Sequence, residues 1–223
     1  MPTESETRAR IMLRPIASPM SLGFLALGGA TLVLSGQQLG WFPVLETSSV
    51  AYCLMVFAFP LQFLASIFGF LSRDGVAATA MGVLATSWLV SGTILLVSPP
   101  GSTNAVLGLL LLFSGAALTI PAAAACMGKL VPALVLFVAA ARFMLTGIYE
   151  LTSQPSVQTA AGLVGLALLV LAWYAALALE LEDLGRRTML PVLRLGEGRA
   201  AVRGGESDQL AGIDHEAGVR QQL

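Results

Sequence analysis

Residues 159–181 read TAAGLVGLALLVLAWYAALALEL. The stretch holds no charge until Glu180 and is long enough to cross a bilayer as one helix. A hydrocarbon core about 30 Å thick needs roughly 20 mostly apolar residues at about 1.5 Å rise each. Five further stretches behave alike: about 16–36, 50–71, 76–98, 105–126 and 130–149. Short breakers separate them. Ser72-Arg73-Asp74-Gly75 makes a tight turn, Pro99-Pro100-Gly101-Ser102 stops the third span, Met127-Gly128-Lys129 parts the fourth from the fifth, and Ser153-Gln154-Pro155-Ser156 precedes the sixth. Open sheet edges cannot sit in lipid, and no alternating ten-residue pattern recurs. The sequence therefore predicts an all-α polytopic membrane protein, a six-transmembrane-helix bundle.

Composition agrees. Of 223 residues 56% are hydrophobic and only 11% charged, against about a quarter charged in soluble domains. The net charge of −1 points away from nucleic acid. The cations are sorted. Arg8, Arg10 and Arg14 precede the first span, Arg73 follows the second, Lys129 follows the fourth, and Arg186, Arg187, Arg194, Arg199, Arg203 and Arg220 follow the sixth. The other three loops have no Lys or Arg. By the positive-inside rule both termini are expected in the cytoplasm of a multi-pass plasma-membrane protein. The expected organisation is a cytoplasmic segment 1–15, a transmembrane domain 16–187 and a disordered cytoplasmic tail 188–223, which is too polar to bury a core. The acidic start MPTESETRARIMLRP lacks the pattern of a removable signal peptide.

Lipid gives helices no hydrophobic reason to meet, so close packing relies on small residues. Gly23, Ala26 and Ala30 form one such stripe, and Ala161, Gly162 and Gly165 another. Gly115, Ala116 and Ala122 through Ala125 form a third. Pro19, Pro60, Pro121 and Pro132 lie in or near spans, where a missing donor permits a kink.

A charge at membrane depth is a functional hypothesis by default. Arg142, in the fifth span, is the clear case. It lines an anion path, or snorkels outward, or pairs with Glu150 two turns on, or faces a subunit interface. Gln62, in the middle of the second span, serves a pore or a helix-to-helix bond. Thr79, Thr86, Ser87 and Ser91 are expected to bond back to their own helix, and Trp88 to pack. Cys53 and Cys126 read as small hydrophobes. The one histidine, His215, lies in the tail. No metal set, cofactor loop or acid–base pair can be assembled, so neither a cofactor nor an enzyme is expected.

Three blocks resemble the acetate uptake transporter family of the succinate–acetate permease type. The last span is similar to that family's closing segment at Ala161, Gly162, Gly165, Leu166, Tyr174 and Ala176, then Arg187, Thr188, Leu190 and Pro191. Gln62 through Ala65, then Thr79, Ala80, Trp88 and Leu89, match in the second and third spans. SPMSLGFLALG resembles the signature Asn-Pro-Ala-Pro-Leu-Gly-Leu, with Pro19, Leu22 and Gly23 kept and Ser18 and Ser21 in place of Asn and Pro. The resemblance spans about 16–191. It implies six helices, hexameric homo-oligomers with a pore in each subunit, and proton-linked carriage of acetate, related monocarboxylates or succinate. The family's hydrophobic constriction falls here on Leu27, Leu84 and the neighbourhood of Ala139. Its Glu after the second helix is Gly69, and a Trp and a Phe of the fourth are Ser114 and Ala117. A divergent member is implied, with Leu27, Leu84, Ala139, Gln62 and Arg142 on the substrate path. The alternative is a non-transporting membrane sensor or partner that keeps the fold.

Overall fold

The fold is described from a computed structural model, which covers residues 17–185 and 188–196. Six helices are long and apolar enough to cross a membrane: α1 (Met20–Gln38), α2 (Val44–Leu71), α3 (Gly75–Val97), α4 (Ala105–Ala125), α5 (Leu130–Thr152) and α6 (Pro155–Gly185). No strand occurs among the described residues, which hold one isolated antiparallel bridge, Lys129 to Arg194.

The helix ends follow local chemistry. Asp74 caps α3 by accepting from the Ala77 N–H at 3.0 Å. Asn104 caps α4 through the Leu107 N–H at 3.0 Å. α5 ends at Ser153, whose φ of 54° is left-handed. Two helices exceed the spans expected from hydropathy. α2 starts at Val44 instead of about 50, because polar residues outside the hydrocarbon can still coil. Thr47 Oγ1 donates to the Val44 carbonyl at 2.6 Å and accepts from Gln37 Nε2 at 3.1 Å. α6 runs from Pro155 to Gly185, since proline suits a first helical turn. Within α2, residues Cys53–Ala58 form a π turn. It ends two residues before Pro60, which has no N–H to continue the ladder.

Close approach is made through glycine. α4 and α5 meet where Gly108 faces Gly147. A Cβ on either would lie 2.8–2.9 Å from the other's carbonyl oxygen. α1 packs along α6, where Gly162 receives Leu39 and Gly165 receives Ser35. These small-residue contacts lie within one chain.

The chain beyond 187 has structure at its start. Residues 188–196 fold back over the ends of α5 and α6. The N–H groups of Leu130 and Val131 donate to the carbonyls of Leu193 and Val192, and Leu195 N–H donates to the Gly128 carbonyl. Tyr174 Oη donates to the Pro191 carbonyl at 2.9 Å, and Val192 is fully buried. Arg194 pairs with Glu182, which also accepts from Thr188. Burial pulls the Arg194 guanidinium below its ordinary value, a desolvation cost that the Glu182 carboxylate offsets. Ordered chain thus extends past the boundary expected at 187. The expected segment 1–15, and residues 197–223 of the expected tail 188–223, with His215 and most of the terminal arginines, lie outside the described residues.

The docked segment yields opposite expectations for neighbouring residues. Arg194→Ala leaves the Glu182 carboxylate without this partner and should cost about 1–2 kcal/mol, read as a lower melting temperature in detergent. Leu193 is exposed and held at φ 52°. Leu193→Gly should therefore raise stability by about 1 kcal/mol. A Leu193→Gly protein that melts earlier than wild type would show the segment is not docked this way.

Candidate functional site

Arg142 lies midway along α5 and is 1% exposed. Its guanidinium carbon sits 5.7 Å from the Trp88 ring of α3, a cation–π contact. The Trp88 ring lies 5.1 Å from that of Phe143. Nε and Nη2 are buried with no hydrogen-bond partner. These two atoms form the side of the guanidinium that matches a carboxylate bidentately. No ion pair joins Arg142 to Glu150. Glu150 instead accepts the Asn104 N–H at 2.7 Å. Of the readings open for Arg142 in the sequence, snorkelling and pairing with Glu150 are therefore not realised within the chain.

Gly165 makes room for the arginine. A Cβ there would lie 2.6 Å from Arg142 Nε and collide with Ser35 Oγ, with the Thr31 methyl at 3.3 Å. Thr31 and Ser35 belong to α1, and their hydroxyls are buried without partners. Gln38 continues this face at i, i+4 and i+7. Its Nε2 donates to Thr146 Oγ1 of α5 at 3.2 Å, while its Oε1 is unpartnered. Buried polar atoms without partners are few in folded proteins. Here they concentrate where α1, α3, α5 and α6 converge.

Two cavities meet this cluster. The larger, about 80 Å³, lies toward the loops that join α1 to α2, α3 to α4 and α5 to α6. Its lining includes Gln37, Gln38, Ser102, Thr146, Glu150 and Gln158. The smaller, about 10 Å³, is lined by Trp88, Arg142 and Phe143. Leu34, Ser91, Leu111 and Thr146 line both. Together they trace a line from one end of the bundle down to Arg142.

The other sequence-derived candidates sit elsewhere. Leu27, Leu84 and Ala139 are fully buried in the core, and none lines either cavity. Gln62 is fully buried and donates through Nε2 to the Gly23 carbonyl at 3.2 Å, with Met81 sulfur at 3.8 Å. It bonds α2 to α1, and its Oε1 is unpartnered. In the signature stretch, Ser18 and Leu22 are exposed, the Pro19 carbonyl accepts the Gly23 N–H, and Gly23 packs on Met81 and Ala65. Thr86 bonds back to Gly82 as expected, and Ser87 both to Val83 and across to Ser114 at 3.0 Å. Sequence reasoning missed Thr31, Ser35 and Gln38. Their spacing on one face of a membrane helix was the available signal.

A bundle of six apolar helices enclosing a buried polar path defines a polytopic membrane protein. The sequence model of the GPR1/FUN34/yaaH family matches residues 3–195, and the chain belongs to that family, the acetate uptake transporter family it resembles. No curated protein matches the sequence. Among solved structures, the bacterial acetate channel SatP shares the fold, with a TM-score of 0.71 and 24% identity over 79% of this chain and 99% of that one.

Gly165→Ala should displace Ser35 and Arg142, lowering melting temperature by the several degrees that about 1–3 kcal/mol of overpacking implies. Gly75→Ala is the control, since nothing lies within 4 Å of its added carbon. Equal melting of the two variants would contradict the packing around Arg142.

Proposed function

We propose that this chain moves small carboxylates across the plasma membrane, with acetate-like monocarboxylates as substrates and a proton accompanying the anion. Its family membership supports the class. The observation that carries the reading is the unpaired Nε and Nη2 of Arg142 at the foot of a cavity. A guanidinium stays protonated in proteins. Without an acidic partner it is a standing demand for an anion, and a carboxylate is the anion whose two oxygens fit the fork. In this reading the cavity is the mouth, and Gln38 and Thr146 form its narrow neck. Ser35 and Thr31 supply hydroxyls as the anion sheds water.

Below Arg142 the path is closed by the packed side chains of Leu27, Leu84 and Ala139, so passage requires these to part. We place both termini in the cytoplasm, from the cation distribution, and take the assembly to be a homo-oligomer, a hexamer by resemblance, with a path in each subunit. Succinate-like dianions fit less well, because Arg142 is the one cation beside the cavities among the described residues. The closed floor also suits the second reading, a membrane sensor that retains the fold without transporting.

The test is uptake of radiolabelled acetate, propionate, butyrate and succinate into proteoliposomes, with the rate of empty vesicles subtracted. Monocarboxylates should accumulate ahead of succinate. Arg142→Gln should cut that uptake by roughly tenfold, the effect of losing about 1.4 kcal/mol of a charge-assisted bond, with membrane insertion unchanged. No uptake of any of the four acids would favour the sensor, and full uptake by Arg142→Gln would remove the arginine from the path.

A further inference from the structure

Among the described residues, the larger cavity has one carboxyl group and no lysine or arginine on its walls. That group is Glu150. An ionised carboxylate in the mouth of an anion path is a contradiction unless it can be neutralised. Two like charges in a narrow, poorly hydrated space repel far more strongly than in bulk water. Resting on the carboxylate reading above, we infer that Glu150 takes up a proton as the anion enters, so that its protonation admits the anion to Arg142.

The geometry supports this on three counts. Arg142, Thr146 and Glu150 follow one another at i, i+4 and i+8 along α5. They place cation, hydroxyl and carboxyl along about 12 Å of one helix face. Thr146 lines both cavities, and Glu150 the upper one. Next, one oxygen of Glu150 is anchored by the Asn104 N–H. This bond holds the group at the mouth and leaves the second oxygen as the place for a proton. Finally, among the described residues, no charged side chain shares the cavity wall with Glu150. α1 presents Gln37 and Gln38, α6 presents Gln158, and the segment before α4 presents Gly101 and Ser102. Tyr149 is its only titratable neighbour on the cavity wall. Glu46, at the same end of the bundle, is exposed and lines neither cavity.

The coupling has a definite sign. With Glu150 ionised, an anion in the mouth meets repulsion before it reaches Arg142. With Glu150 protonated, the attraction of Arg142 stands alone. By linkage, a proton that favours the anion is itself favoured by the anion, by the same factor. An acid arriving at the mouth therefore leaves its proton on Glu150 and its anion at Arg142, and an anion that leaves again by the mouth takes that proton back. Atoms and charge balance without any further partner.

The experiment measures radiolabelled acetate uptake by full-length protein in liposomes at constant acetate-anion concentration, between about pH 5 and pH 8, with the rate of empty vesicles subtracted. Wild-type uptake should rise by about fivefold or more toward acid pH. Glu150→Gln, which mimics the protonated carboxyl, should give a flat profile at the acid-side rate. Glu150→Asp should keep the slope with a displaced midpoint, because the shorter carboxyl loses the Asn104 bond. A Glu150→Gln profile superimposable on wild type overturns the assignment, as does an unchanged midpoint in Glu150→Asp should the Gln variant fail to fold. Wild-type uptake that is present but indifferent to pH also overturns it while leaving the carboxylate reading intact. Absence of uptake at every pH removes both.

Discussion

Hydrocarbon offers the peptide group no partner, and it offers helices no reason to approach one another. Backbone polarity must be satisfied inside each helix, and association then depends on how close the helix surfaces can come. In this chain both demands are met by the same economy of side chains. Gly108 against Gly147 lets α4 and α5 touch backbone to backbone. Gly162 and Gly165 let α1 lie along α6. The space that remains is consequently narrow, and it falls where α1 and α5 turn polar faces inward. The cavity leading to Arg142 is a product of this packing, since Gly165 makes room for the guanidinium.

The electrostatic layout follows from that placement. Arg142 is enclosed with an aromatic face on one side and unpaired hydroxyls on another, and no carboxylate touches it. A buried cation left in that state is expensive. Glu150 would have been the obvious internal partner, but the Asn104 N–H at the start of α4 holds it at the cavity mouth. The two ionisable groups of α5 are therefore separated along the cavity instead of pairing within it.

The opposite end of the bundle is arranged differently. There the chain returns after α6 and lays Val192 into the core, with Arg194 and Glu182 paired and Tyr174 bonded to the backbone at Pro191. These contacts join the ends of α5 and α6, the two helices that hold Arg142 and Gly165. The end bearing the returning segment is thus pinned, while the far end opens on a cavity.

Apolar length and charge spacing along the chain are local properties, and they were enough to determined six spans, their approximate limits and the anomaly of Arg142. The helical content needed no more, because lipid leaves a long apolar segment no other backbone state. Local pattern was less informative where polar chemistry competes with it. The start of α2 depends on hydrogen bonds of Thr47, and the docking of residues 188–196 depends on α5 and α6 being side by side. The stripe Thr31, Ser35 and Gln38 was legible as spacing, but its meaning required α5 beside it. Leu27, Leu84 and Ala139 were marked by resemblance, and only the fold shows that they are buried in the core and line neither cavity. What tertiary structure decided is which polar atoms face one another and which are left unpaired. That depends on how helices rotate and how closely they approach, and no single helix carries the information.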